Sequence, residues 1–226
     1  MAGPGDVQAE AARADAARPD AARPVLFVLA GVNGAGKSSI GGHLLTQAGL
    51  AWFNPDTCAR ELVREHGYGQ EDANIAAWNE GVRRLDLAVR TRKTYAFETT
   101  LGGDTITQKL MAASASHDVL VWFCGLRDAA QHIQRVRLRV ARGGHDIPED
   151  RIRQRCRTSL LNLIILMPRL AQLRAYDNSV DVAVGTAVPE PRLVLGMDQG
   201  RLTFPITPDD IRATPDWAKA LVAAAG

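Results

Sequence analysis

Apolar and polar positions along the chain repeat with two periods. Val25-Leu26-Phe27-Val28-Leu29-Ala30 is an unbroken apolar run that stops at Gly31, the pattern of a parallel strand covered on both faces. Residues 39–45 then read as a helix with Ile40, Leu44 and Leu45 inward. Short strands are predicted at 51–53, 94–97 and 119–124, and a helix at 57–65. A long helix over 72–92 carries Ile75, Trp78, Val82, Leu85 and Val89 at helical spacing. Helices follow at 104–116 and 129–141, the second broken at Gly143-Gly144. Pro148 opens another long helix, in which Ile152, Cys156, Leu160, Leu163, Met167 and Leu170 form one apolar stripe. A strand at 180–184 comes next. A hairpin then pairs 193–195 with 201–204 around Asp198-Gln199-Gly200, and a last helix over 209–224 is interrupted at Pro215.

Strands alternating with helices predict an α/β fold, a three-layer sandwich with a mainly parallel central sheet and helices on both faces. A single domain is assigned to 25–226. Residues 1–24 differ. They are rich in Ala, Arg, Asp and Pro, repeat Ala-Ala-Arg at 11–13, 16–18 and 21–23, and lack large apolar side chains. They read as a frayed or disordered leader, with a partner-binding helix as the lesser alternative.

Composition narrows the setting. The 226 residues suffice for one sizeable core. A net charge of +2 implies neither a nucleic-acid coat nor a membrane surface. Cys58, Cys124 and Cys156 are odd in number and far apart, without metal-ligand spacing, which favours a reducing compartment. With no apolar signal core and no membrane-length apolar stretch, a cytoplasmic protein is expected.

The turn after the first strand carries the chemistry. Gly31-Val32-Asn33-Gly34-Ala35-Gly36-Lys37-Ser38 is G-x-x-x-x-G-K-S, the phosphate-binding P-loop. Chance would produce it in on the order of one chain of this length per hundred, and a chain with only four lysines makes chance weaker still. The pattern predicts a nucleoside triphosphate and Mg²⁺. Backbone amides from Gly31 to Ser39 would converge on phosphate oxygens. Lys37 would reach the β- and γ-phosphates, and the Ser38 hydroxyl would complete the metal shell.

Ligands of open α/β sheets sit beyond the carboxyl ends of the strands, and two further strand ends carry acids. Asp56 follows the second strand, where a carboxylate fits as acceptor of a substrate hydroxyl proton; capping of the next helix is the alternative. Glu98 follows Tyr95-Ala96-Phe97 and would reach Mg²⁺ through water or hold a substrate hydroxyl. Thr99 and Thr100 add hydroxyls beside it, and Gly102-Gly103 allows close backbone approach. Residues 127–157 hold nine arginines, with Arg135, Arg139 and Arg142 on one helical face. Arg142 and Arg139 are the candidates to offset charge in phosphoryl transfer. Arg142-Gly143-Gly144-His145-Asp146-Ile147-Pro148 reads as a lid turn with glycine hinges, His145 as a turn residue, and Arg153 and Arg157 as solvated.

These segments together resemble the zeta-toxin-like P-loop kinases, in their short bacterial branch. The resemblance rests on the P-loop through Ser39, Asn54-Pro55-Asp56 and Phe97-Glu98-Thr99-Thr100-Leu101-Gly102-Gly103. It extends to Arg142 through Pro148, Ser159-Leu160-Leu161-Asn162-Leu163 and Tyr176-Asp177-Asn178-Ser179, covering about residues 25–180. It implies a kinase using ATP and Mg²⁺ on a UDP-activated amino sugar, typically UDP-N-acetylglucosamine, with a small antitoxin protein as partner. By the same resemblance Asp56 is the base, and Glu98 and Thr100 face the substrate. Arg142 lies on the γ-phosphate with a second arginine at Arg139 or Arg135, and Asn178 lies near the adenine. The chain between the arginine helix and the lid arginine, and between the second and third strands, is shorter than in the larger toxins.

A small-molecule kinase is thus the leading expectation. The alternatives are transfer to another nucleotide acceptor, such as NAD or a nucleic-acid 5′ end, and a non-enzymatic ATP-dependent switch. Near-neutral charge disfavours nucleic acid, and a candidate base plus a substrate acid disfavours the switch.

Overall fold

The computed structural model describes residues 23–38, 41, 45, 49–181 and 189–226. The predicted leader (but for its last two residues), Ser39 and most of the helix expected at 39–45 lie outside these. Among the described residues, seven strands form one sheet: β1 (Val25–Ala30), β2 (Trp52–Phe53), β3 (Tyr95–Thr99), β4 (Asp118–Gly125), β5 (Gln172–Asp177), β6 (Arg192–Asp198) and β7 (Arg201–Phe204). The helices are α1 (Pro55–His66), α2 (Gln70–Thr91), α3 (Asp104–Ala113), α4 (Ala129–Val140), α5 (Glu149–Leu166), α6 (Pro208–Arg212) and α7 (Asp216–Ala225).

The strand order is β2-β3-β1-β4-β5-β6-β7. The first five strands are parallel, and β6 and β7 are added antiparallel. The α/β sandwich expected from the sequence is therefore present, with β1 at the centre of the parallel part. Successive side chains of β1 enter opposite layers. Leu26, Val28 and Ala30 join Leu85, Leu110 and Leu163 in the larger core, and Val25, Phe27 and Leu29 pack with Leu45 and Trp122 on the other face. A Cβ at position 41 would lie 2.1 Å from Leu29 Cδ2, so any larger residue there would displace the Leu29 side chain.

Several element boundaries depart from the sequence expectation. The parallel strand after α5 is β5, whose Leu173 and Ala175 are fully buried. The strand expected at 180–184 is not seen in its described part, Val180 and Asp181; the rest lies outside the described residues. The β6–β7 hairpin and the interruption before Pro215 agree with expectation. In α2 the apolar stripe divides. Leu85 and Val89 pack into the core, whereas Ile75 and Trp78 stay 54% and 47% exposed. Small residues hold that end of the helix instead, since Ala73 and Ala77 pack on Ala59 of α1.

Candidate active site

The site lies beyond the carboxyl ends of β1, β2 and β3. Pairing of Leu29 with Glu98 and of Ala30 with Thr99 fixes the acid of β3 beside the P-loop leaving β1. The loop is held open by its glycines. Gly31 takes φ +138° with its α-carbon against the Cys124 carbonyl, and Gly34 takes φ +82° against the His132 carbonyl. A side chain at either position would be strained and would collide with backbone.

Lys37 and Glu98 are almost fully buried, 6% and 7% exposed, and their charges pair at 3.3 Å. Glu98 also accepts hydrogen bonds from Ser38 Oγ (2.8 Å) and Asn54 Nδ2 (3.0 Å). Asn54 in addition donates to Ser38 Oγ at 3.2 Å. A buried carboxylate met by an ammonium, a hydroxyl and an amide is well satisfied. The sequence left Glu98 open between the metal and a substrate hydroxyl; in this structure its oxygens face the P-loop pair Lys37 and Ser38. Asn54 is a residue that sequence reasoning passed over. Its Oδ1 accepts from the amides of Asp56 and Thr57 and so caps α1. The cap duty weighed for Asp56 therefore belongs to Asn54.

Asp56 is left with its carboxylate turned into the cleft. Arg139 Nη1 lies 3.5 Å from one of its oxygens and His145 Nε2 4.0 Å from the other. Arg139 Nη2 donates to the His145 carbonyl at 3.1 Å, which ties α4 to the lid turn. Arg139 Nε is buried without a hydrogen-bond partner among the described residues. Burial pushes the His145 pKa down, against the opposing pull of Asp56. Arg142 occupies a different position: it is exposed in the turn after α4 and does not line the cleft. Arg135 bonds the Val180 carbonyl and pairs with Asp181 at 3.4 Å.

A second arginine that the sequence did not single out reaches the P-loop. Arg155 Nη1 donates to Asn33 Oδ1 at 2.7 Å, and burial lowers its pKa. Its face of α5 was legible: Ile152, Arg155, Ser159 and Asn162 recur at helical spacing, and three of the four are buried. That face also fixes the loop after β3. Thr158 Oγ1 donates to Gly102 O (2.9 Å), Ser159 Oγ to Thr100 O, and Asn162 Nδ2 to Leu101 O (2.9 Å). Leu101 adopts φ +54°, and its amide bonds Thr99 Oγ1 at 3.0 Å. Thr99 thus uses its hydroxyl oxygen within the loop, while Thr99 and Thr100 both border the cleft. Asn178 Nδ2 donates to the Ala35 carbonyl at 2.9 Å, buttressing the P-loop from β5. Asp177 accepts from Trp217 Nε1 of α7 at 3.0 Å.

His132 supports the loop from α4, donating from Nδ1 to the Asn33 carbonyl (2.9 Å). Burial pushes its pKa down to about 4 from the ordinary 6.5, so the folded state holds the neutral ring. The contribution is whole above pH 6.5 and is lost as the pH falls toward 4, at a cost of about 3 kcal/mol. Urea unfolding at pH 7 and pH 4.5 should show this loss in the wild type and a smaller one in His132→Asn. An equal pH effect in both proteins would count against it.

The cleft joining these groups has a volume of about 860 Å³. Lys37, Asn54 and Asp56 line its inner end. The N-terminal half of α2 forms one wall, and the loop after β3, the lid turn and the start of α5 form the others.

No protein-family profile matches the chain. It is 26% identical over 132 residues to an uncharacterised protein of Haemophilus influenzae, covering 55% of this chain and 87% of that one. Among solved structures it is similar to a chain of the native AvrRxo1-ORF1:-ORF2 complex, with TM-score 0.62 and 15% identity over 97% of this chain and 73% of that one. The same complex with ATP gives TM-score 0.61 at 14% identity over 99% and 70%. A chain of the PezAT toxin-antitoxin system of Streptococcus pneumoniae gives 0.50 at 15% identity over 77% and 76%. These likenesses show the fold alone, a mixed α/β sandwich with a mainly parallel sheet. No helix among the described residues is long and apolar enough to cross a membrane.

Proposed function

We propose that the protein is an ATP- and Mg²⁺-dependent kinase of the zeta-toxin type, acting on a sugar hydroxyl of a UDP-activated amino sugar such as UDP-N-acetylglucosamine. The observation that carries this reading is one cleft holding both halves of a transfer site. Lys37 and Glu98 line its donor end, with Ser38 bonded to Glu98 behind them, and Asp56, steadied by Arg139, faces the same space. A nucleotide switch needs no such carboxylate. ATP as donor is supported by the P-loop and by the structural neighbour solved with ATP.

The donor set suits Mg²⁺, because Ser38 Oγ and Glu98 Oε2 are hard oxygen ligands 2.8 Å apart. Ser38 would hold the ion directly and Glu98 through water. When bound, the ion neutralises charge on the β- and γ-phosphate oxygens. In the proposed reaction Lys37 turns from Glu98 to those phosphates. Asp56 accepts the proton of the attacking hydroxyl, whose oxygen forms a bond to the γ-phosphorus. The bond from that phosphorus to the bridging oxygen breaks and ADP leaves. Arg155, at the P-loop, and Arg139, beside Asp56, offset charge that builds on the phosphoryl group. Arg142 would contribute only after the lid turn moves inward. A small antitoxin protein is the proposed partner, supported by the likeness to a chain of a toxin-antitoxin system.

The test is incubation with γ-labelled ATP, Mg²⁺ and a panel of UDP-amino sugars, free amino sugars, NAD and a nucleic acid with a 5′ hydroxyl, followed by mass identification of labelled product. Label in the UDP-amino sugar supports the reading. Label in NAD or the nucleic acid alone replaces the acceptor, and no labelled product refutes the kinase.

A further inference from the structure

The lid turn is fastened at its base and carries one side chain to Asp56. Gly143 N donates to the Val140 carbonyl (2.9 Å) and Gly144 N to the Arg139 carbonyl (3.0 Å). Gly144 also lies against the stem of Arg139, where a Cβ would come within 2.7 Å of Arg139 Cγ. The Arg139 guanidinium returns to the His145 carbonyl, and Ile147 is buried with Ile133, Val136 and Ile152. His145 is thus held from both sides. A side chain in a surface turn is free to face solvent, but this one lines the cleft and is only 13% exposed. Its Nε2 lies 4.0 Å from one Asp56 oxygen, while Arg139 Nη1 lies 3.5 Å from the other.

We propose that His145 is a positioning residue for Asp56, a role that rests on the kinase reading above: its neutral ring donates Nε2–H to the carboxylate oxygen that Arg139 does not face. The gap of 4.0 Å closes by about 1 Å as the lid turn moves inward over a filled site. Met at both oxygens, the carboxylate keeps one plane and turns a free lone pair to the attacking hydroxyl. The charge state of the ring decides whether this works. Burial lowers its pKa below the ordinary 6.5; Asp56 opposes the shift, Arg139 and Arg60 add to it, and Asp146 opposes it. Arg151 and Arg155 of α5 and Glu71 of α2 line the same cleft. At neutral pH the ring is therefore an imidazole, which orients Asp56 without weakening it. An imidazolium in its place would stabilise the carboxylate anion and make it a poorer base. The neutral form holds above pH 6.5 and is lost as the pH falls through the lowered value, so transfer should fall on that side.

His145→Gln and His145→Ala separate the hydrogen-bond donor from the titrating ring. Glutamine brings an N–H to nearly the place of Nε2 and cannot become a cation. Transfer to whichever acceptor the wild type uses is measured in all three proteins from pH 5 to pH 9. The expected result is a kcat about 10- to 100-fold lower in His145→Ala, largely restored in His145→Gln, with KM for ATP unchanged in both. The acid limb of the profile should move to lower pH in His145→Gln, which has no ring to protonate. Independently of turnover, an NMR titration of the His145 ring in wild type and Asp56→Asn reads the pairing. Removal of the carboxylate should lower the ring pKa further. Wild-type kcat in His145→Ala would overturn the proposal, as would an acid limb that stays in place in His145→Gln, or a ring pKa that Asp56→Asn leaves unchanged. A ring pKa that depends on Asp56, with no transfer to any acceptor, would instead refute the kinase and leave the pairing standing.

Discussion

Asp56→Asn is expected to lower the rate of phosphoryl transfer by about 100- to 10,000-fold, the range for loss of a positioned base. The asparagine has nearly the same shape and cannot take the proton of the attacking hydroxyl. The fold should survive. Asn54, not Asp56, caps α1, and the Asp56 side chain is 41% exposed, so the ion pair with Arg139 contributes little to stability. ATP affinity should hold as well, because Lys37, Ser38 and Glu98 are bonded to one another and not to Asp56. Steady-state transfer, ATP titration and thermal denaturation of the one variant read these three consequences separately. Full turnover in Asp56→Asn would remove the residue from the mechanism. Lost ATP binding would mean that it organises the donor end.

Elements with a single strong local signal were readable from the sequence. β1 is apolar throughout because it is central and covered on both faces, and the glycines that follow have a unique backbone use at Gly31 and Gly34. Features that depend on which wall an element faces were harder to read. The 3.6-residue period of α2 identifies the stripe from Ile75 to Val89. It does not say that Ile75 and Trp78 lie beside the cleft and outside the core. β5 was obscured because its outward positions are Gln172, Arg174 and Tyr176, and only Leu173 and Ala175 mark the buried side. The valines at 180–184 gave a louder β signal than the strand itself.

The same distinction runs through the site. Lys37, Ser38, Asp56 and Glu98 lie in motifs or directly after strands, and topology brings them together. Asn54 was masked by the neighbouring acid, although Asn before Pro is a strong helix-start signal. Arg155 was one of nine arginines in its region. Only its phase with Ile152, Ser159 and Asn162 separates it from the solvated Arg153 and Arg157. Arg142 shows the reverse: the glycine hinge beside it drew attention, while Arg139, one turn earlier, is the arginine in contact with Asp56.

Lys37→Met is expected to lower transfer by about 100- to 1,000-fold or more, through loss of the cation aimed at the phosphoryl oxygens in the transition state. Methionine keeps the length of the stem and fills the same space, so the change removes charge more than volume. Glu98 then loses its ammonium at 3.3 Å but keeps Ser38 Oγ and Asn54 Nδ2. Removing one member of a buried pair costs about 3–5 kcal/mol when the other is left uncompensated. Two remaining donors should make the loss here smaller. The check combines transfer rates with urea unfolding of wild type and variant at pH 7. A loss of stability as large as about 3–5 kcal/mol would show that Ser38 and Asn54 do not compensate Glu98. Undiminished transfer would remove the P-loop lysine from the donor site.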